Sequence, residues 1–121
     1  MRKVLIRMFK KKNNINEYET YEKEINKTPI TKASDRILFD KVTNDDAKTL
    51  YYVDEMRKGS PLVLNFEDVD VATANKVLAF IAGSVYALGG KTIKIDTKIY
   101  MFALTADFLD GTLATWLEGL K

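Results

Sequence analysis

The chain has 121 residues, of which 46% are hydrophobic and 30% are charged, so its length and composition are those of one globular domain. It contains no Cys and no His, which excludes disulfides, thiolate nucleophiles, imidazole bases and the usual soft metal ligands. It also has no glycine-rich phosphate loop and no serine nucleophile elbow. We therefore expect no cofactor, no metal site and no enzymatic activity. A domain this small buries only about two-thirds of its unfolded surface, so we expect it to oligomerise.

The first twelve residues carry six positive charges and no acid, which leaves 13 basic against 17 acidic residues in the remainder. Wound as a helix, the apolar side chains form one stripe and the basic side chains lie on its flanks and opposite side. The stripe consists of Met1, Val4, Leu5, Met8 and Phe9, and the flanking residues are Arg2, Lys3, Arg7, Lys10 and Lys11. This pattern predicts a helix over residues 1–12 that lies on an anionic membrane. A β-strand over residues 3–7, a nucleic-acid-binding arm and a solubilising tail are the alternatives.

The apolar runs are far shorter than the ~20 residues that a membrane-spanning helix needs. Arg7 also ends the first apolar run too early for a secretory signal. We therefore expect a protein on the cytoplasmic face of the membrane. Residues 13–34 are polar and charged and include Pro29, which predicts a linker to a folded domain at residues 35–121.

The folded part begins with a strand–helix–strand pattern. The first strand is marked by Ile37, Leu38, Phe39 and Val42. A helix is expected from the acidic pair at 45–46 to Lys58, with Gly59 as its stop. Pro61 precedes the second run, 62–66, whose unbroken apolar character predicts a strand covered on both faces.

Asp70 is the predicted N-cap of a second helix. Its core stripe is expected to consist of Ala74, Val77, Leu78, Ile81, Val85 and Leu88. Its opposite side is small and apolar, formed by Ala79, Ala82, Gly83 and Tyr86. Because a surface helix is normally polar there, we infer a two-fold dimer contact. The alternative is a helix buried on both sides within one chain.

A β-hairpin is predicted over residues 92–104, with a three-residue turn at 96–98 that pairs Ile95 with Ile99 and Lys94 with Tyr100. One face of the sheet then carries Thr92, Lys94, Tyr100 and Phe102. An aromatic ring beside a lysine on this face suits an acidic and apolar peptide, although surface packing is the simpler interpretation. The segment from Asp107 predicts a short final helix in which Trp116 anchors the core or an interface.

Several of these segments together resemble the SepF family of cell-division proteins. The resemblance rests on Leu64-Asn65-Phe66, Val69, Thr73-Ala74, Phe80, Gly83, Val85-Tyr86-Ala87-Leu88-Gly89-Gly90 and Lys94-Ile95. It covers the chain from about Ile37 onward and implies a homodimeric α/β domain: a two-layer sandwich of a small mixed sheet with helices, in the order β-α-β-α-β-β-α. The short linker is more similar to compact archaeal members.

The resemblance also implies a function in cell division. Family members join an amphipathic membrane helix to a dimeric domain that binds the C-terminal tail of FtsZ, the filament of the division ring, so this chain is expected at the division septum. In the family a lysine and an aromatic residue line the tail pocket; by position these match Lys94 and Tyr100, and we add Phe102 from the same face. The second helix departs from the family pattern at Ala79 and at Asn75-Lys76. The resemblance therefore does not predict which residues of this helix contact FtsZ.

Two other classes of function remain. A nucleic-acid-binding protein would use the basic arm and stack bases on Tyr100 and Phe102, but the acidic remainder of the chain argues against a nucleic-acid partner. A small-molecule regulatory domain would hold a pocket between the sheet and the helices.

Overall fold

The computed structural model describes residues 31–121. The helices and strands are β1 (Leu38–Lys41), α1 (Asp46–Arg57), β2 (Leu62–Asn65), α2 (Val71–Ala87), β3 (Gly90–Asp96), β4 (Ile99–Leu104) and α3 (Thr112–Glu118). Short 3-10 turns lie at Ala33–Arg36 and Thr105–Phe108. The α/β class and the predicted order of elements are confirmed. The predicted membrane helix and residues 13–30 of the predicted linker lie outside the described residues.

The four strands form one mixed sheet in the order β1-β2-β4-β3. β1 and β2 are parallel and adjacent, and α1 connects them, because two parallel strands require a crossover. β4 pairs antiparallel with both β2 and β3. The sheet therefore has two edges within the described residues, β1 on one side and β3 on the other.

The sheet separates two clusters of buried side chains. The larger lies under α1 and α2 and includes Tyr52, Met56, Leu62, Leu64, Val77, Ile81, Val85 and Phe102. The smaller lies on the opposite face, where α3 and the first 3-10 turn cover Ala33, Val63, Met101, Ala103 and Leu113. As predicted for a strand covered on both faces, β2 contributes to both clusters.

Polar caps and glycines set the helix ends near the predicted positions. The Asp45 carboxylate accepts hydrogen bonds from the backbone N–H groups of residues 47 and 48, and Asp70 accepts one from Thr73. These bonds satisfy amides that have no partner within the first turn. Gly59 and Gly89 follow α1 and α2 with φ of 106° and 76°, a conformation that favours glycine.

The predicted hairpin turn is wrong in one detail. Lys94 does pair with Tyr100, but Asp96 rather than Ile95 pairs with Ile99, and the register shifts between residues 94 and 96. The connection is therefore a two-residue turn with a bulge, since one extra residue of β3 is accommodated without a partner. Because Ile93 and Ile95 both pack against the smaller cluster, the predicted division of faces survives the bulge.

The start of the folded domain differs slightly from the predicted boundary. The backbone N–H groups of Ala33 and Ser34, which the sequence assigned to the linker, donate to Asp110 Oδ2 and Thr112 Oγ1 at 3.0 and 3.1 Å, so they belong to the folded domain. The predicted short final helix is confirmed within the segment from Asp107, and it begins at Thr112, directly after Gly111 in a left-handed conformation with φ of 79°. Over residues 31–121, no helix has the length and apolar character needed to cross a membrane.

Candidate peptide and dimer surfaces

The predicted pair Lys94 and Tyr100 meets at the β3 side of the sheet. The two residues are cross-strand partners, and such partners carry their side chains on the same face. Lys94 is exposed and Tyr100 is half-buried. The Tyr100 ring packs edge-on against Phe66 at 5.8 Å and nearly parallel to Phe102 at 6.3 Å. The pair thus presents a cation beside an aromatic ring whose position is fixed by packing against Phe66 and Phe102.

Phe102 itself does not reach the surface. It has no exposed area and belongs to the larger core cluster, because α2 packs over this part of the sheet. It therefore supports Tyr100 from within the core and has no surface with which to contact a peptide. The nucleic-acid alternative requires bases to stack on both Tyr100 and Phe102, and the buried ring of Phe102 is not accessible to a base.

The predicted dimer face of α2 is exposed over most of its length. Ala79, Gly83 and Tyr86 are exposed, and Tyr86 retains 86% of its surface. Ala82 lies at the margin of this face, half-buried against the larger cluster. The alternative of a helix buried on both sides within one chain is therefore wrong for residues 31–121.

Gly83 leaves open space above the middle of this face. A Cβ atom built on it meets no atom within 4 Å among the described residues. Gly in the middle of a helix destabilises it by roughly 0.5–1 kcal/mol relative to Ala. Since packing within the domain does not require Gly83, the small side chain is consistent with close approach of another molecule.

The acids with shifted pKa values hold the fold together. The hydroxyl of buried Tyr52 donates to Asp40 Oδ2 at 2.7 Å, which lowers the pKa of Asp40. Burial raises the pKa of Asp107, although its carboxylate lies 3.3 Å from Arg36 Nη2. Hydrogen bonds from Ala33 and Thr112 lower the pKa of Asp110 to about 2. Each acid joins separate elements of the chain.

Two surface clefts were not predicted. One, of about 250 Å³, lies between α1 and α2 and is lined mainly by Thr49, Leu50, Val77 and Phe80. The other, of about 350 Å³, lies between β3 and α3. The first lies between two helices, whereas the second lies between the sheet and a helix, where the small-molecule alternative requires a pocket. The residues that line each cleft come from elements far apart in the sequence, such as Leu50 and Phe80 in the first and Ile95 and Leu117 in the second. Periodicity within a single element therefore gave no signal for either cleft.

The mixed four-stranded sheet and its three helices define a small α/β domain that carries both candidate surfaces. The family model described as "Cell division protein SepF" matches residues 42–106. These residues run from the end of β1 through β4 and include both candidate surfaces. The chain belongs to the SepF family of cell-division proteins.

Individual relatives agree with this assignment. The cell division protein SepF of Carboxydothermus hydrogenoformans is 37% identical over 60 residues, which are 50% of this chain and 44% of that protein. The SepF of Symbiobacterium thermophilum is 39% identical over 51 residues, 42% of this chain and 25% of that protein. That of Halalkalibacterium halodurans is 26% identical over 104 residues, 84% of this chain and 66% of that protein. The chain thus spans less than half the length of the first two relatives.

Proposed function

We propose that the chain is a non-enzymatic adaptor that tethers FtsZ filaments to the cytoplasmic membrane at the division septum. The observation that carries this proposal is the Lys94–Tyr100 pair, in which an exposed cation lies beside a half-buried ring. Such a surface suits a peptide with one carboxylate and neighbouring apolar side chains, because the ammonium attracts the acid while the ring packs on the apolar groups. The FtsZ C-terminal tail is the partner that family membership suggests for it.

Dimerisation through α2 gives the adaptor two copies of each surface. We place the two-fold contact at Ala79, Gly83 and Tyr86, with Ala82 at its margin, because this face is apolar and exposed in one chain. An antiparallel crossing at Gly83 sets the helices close together, since no side chain stands between them there. Two linked binding sites raise the apparent affinity by roughly 10²–10⁴.

The N-terminal segment supplies the membrane contact in this proposal. Six basic residues among the first twelve favour an anionic leaflet, at about 1 kcal/mol for each Lys or Arg near the surface. A single amphipathic helix of this length binds only weakly, so the dimer is needed to hold a filament. In this proposal the chain binds both the filament and the membrane and thereby holds them together.

Recruitment of FtsZ to vesicles tests the whole proposal. Purified FtsZ is sedimented with vesicles containing anionic lipid, with and without the full chain. We expect FtsZ in the pellet only when the chain is present, and we expect deletion of residues 1–12 to abolish recruitment while the dimer persists in light scattering. FtsZ that stays in the supernatant with the full chain, or equal recruitment by the deletion variant, would contradict the proposal.

A further inference from the structure

Within residues 31–121, the outer edge of β3, beside the Lys94–Tyr100 pair, is open. β3 runs over seven residues, Gly90–Asp96, and β4 is its only partner strand among these residues. Across residues 31–121, no backbone group of another element bonds to its outer side. In a two-stranded pairing, alternate N–H and C=O groups of the edge strand point away from the partner, so this edge offers a row of free donors and acceptors.

An apolar groove runs along this edge between β3 and α3. Ile93 and Ile95 form its floor from the strand, and Leu117 and Leu120 form its wall from the final helix and the turn after it. Leu120 is 51% exposed, and the other three are half-buried. The groove has a volume of about 350 Å³, which is room for a few side chains. An extended segment beside β3 would direct every second side chain into it.

The charges at this edge are mainly positive. Lys91 lies on the α3 side, where its Nζ is 5.2 Å from the centre of the Phe108 ring. Lys94 is the cross-strand partner of Tyr100 on the opposite face, and it also borders the groove. Lys121 lines the far end of the groove, where it forms an ion pair with Glu118 at 3.1 Å. β3 itself carries two lysines, Lys91 and Lys94, and one acid, Asp96, so an acidic strand beside it would meet mainly complementary charge.

We propose that β3 accepts an extended peptide as a fifth strand of the sheet, and that the peptide alternates apolar and acidic residues. Backbone hydrogen bonds to the open edge provide the affinity, as in other cases of strand addition. The apolar residues enter the groove over Ile93 and Leu117, while the intervening acidic residues point to the face that carries Lys94. This inference rests on the proposed function in one respect, because Lys94 is common to both, and it adds the mode of binding and the pattern of the peptide.

The alternation is tested with two synthetic peptides of identical composition. One is a capped, fluorescently labelled heptapeptide in which glutamate and isoleucine alternate, and the other groups the isoleucines before the glutamates. We expect the full chain to bind the alternating peptide at least tenfold more tightly in fluorescence polarisation. Equal affinities would overturn the inference, because simple charge attraction does not distinguish the two peptides.

The groove is tested with Leu120→Asp, which places a carboxylate at its exposed wall. We expect this variant to bind the alternating peptide at least tenfold more weakly. Leu109→Asp is the matched control, since Leu109 is 82% exposed and does not line the groove. Equal loss in both variants, or no loss in Leu120→Asp, would overturn the inference.

The backbone contact is tested by N-methylation of the alternating peptide at every second amide, in two complementary versions. An added strand directs alternate amides toward its partner, so one version should lose binding at least tenfold and the other should retain it. Equal binding by both versions overturns strand addition.

The same reagents separate this inference from the proposed function. Suppose that binding of an FtsZ tail peptide falls with Lys94→Glu but is unchanged by Leu120→Asp and by both patterns of N-methylation. That result would overturn strand addition and leave the proposed adaptor function intact. Conversely, binding of the alternating peptide as expected, with no binding of the FtsZ tail, would support the inference and contradict the proposed tail contact.

Discussion

Gly90 lies so close to the Ala103 backbone that no larger residue fits without a shift. A Cβ atom on Gly90 would lie 2.5 Å from the carbonyl oxygen of Ala103 and 2.8 Å from Cγ1 of Val85. The approach occurs where the chain passes from α2 into β3, with two residues, Leu88 and Gly89, between them. It lets β3 begin directly beneath the last turn of the helix, which fixes the position of the strand that carries Lys94.

Gly90→Ala is therefore expected to destabilise the domain by about 1–3 kcal/mol, because the carbonyl cannot move without disturbing the β3–β4 pairing. Gly119→Ala is the matched control, since the nearest atom to its Cβ is the Trp116 carbonyl oxygen at 3.4 Å and Gly119 lies outside the proposed dimer face. It should change the free energy of unfolding by less than about 0.5 kcal/mol. Urea denaturation at one protein concentration measures both, and equal effects of the two substitutions would contradict this account of Gly90.

Gly83→Lys tests the dimer face. A lysine at the centre of the α2 contact introduces a long charged side chain where the two helices are expected to approach most closely, so we expect monomers in multi-angle light scattering. Thr115→Lys places the same side chain on an exposed position of α3 and should leave the dimer intact. A persistent dimer in Gly83→Lys would reject this interface.

Lys94→Glu tests the peptide surface. Reversal of the charge beside Tyr100 replaces attraction of a carboxylate with repulsion, so we expect the affinity for an FtsZ tail peptide to fall at least tenfold, or about 1.4 kcal/mol. Lys58→Glu makes the same change in net charge at the end of α1, where Lys58 pairs with Glu55, and should change the affinity less than twofold. Fluorescence polarisation with labelled tail peptide measures both affinities. Similar losses of affinity in the two variants would mean that net charge alone explains the effect of Lys94→Glu.

The Asp110 carboxylate predicts a specific acid sensitivity. It accepts hydrogen bonds from Ala33 N and Thr112 N at 3.0 and 2.9 Å and from Thr112 Oγ1 at 2.7 Å, which lower its pKa to about 2. Because the pKa in the folded state lies below the value of about 3.9 in an unfolded chain, its stabilisation is complete above pH ~4 and is lost as the pH falls toward 2.

Asp110→Asn should therefore be less stable than the parent chain at pH 6, and the difference should shrink as the pH falls from 4 to 2. Chemical denaturation at a series of pH values measures this difference. Asp54→Asn is the control, since among residues 31–121 the Asp54 carboxylate forms only an exposed ion pair with Arg57 and accepts no hydrogen bond from distant backbone. A difference for Asp110→Asn that is constant with pH would rule out the carboxylate as its source.

Local chemistry was sufficient to predict the elements and most of their ends. Asp45 and Asp70 were read as N-terminal signals and do cap their helices, and Gly59 and Gly89 end them, because caps and positive φ depend on residues only a few positions apart. The three-residue turn expected from the sequence is wrong, but the pairing of Lys94 with Tyr100 that it predicts is confirmed, because the bulge restores the register. The bulge at Ile95 was not predicted, since it depends on how both faces of β3 pack.

The sequence alone determined the class and the element order, since periodicity within one element sorts most side chains into faces. In α2 this sorting was wrong for Leu88, which was expected in the core stripe but is 45% exposed, and Ala82 is half-buried at the margin of the outer face. Only the tertiary structure decided which faces another element covers. It buried Phe102 beneath α2 while Tyr100 stayed half-exposed, although both lie on one face of the same strand. It also placed α3 beside Ile93 and Ile95 to form the groove. Burial depends on contacts between residues far apart in the chain, and no local pattern records them.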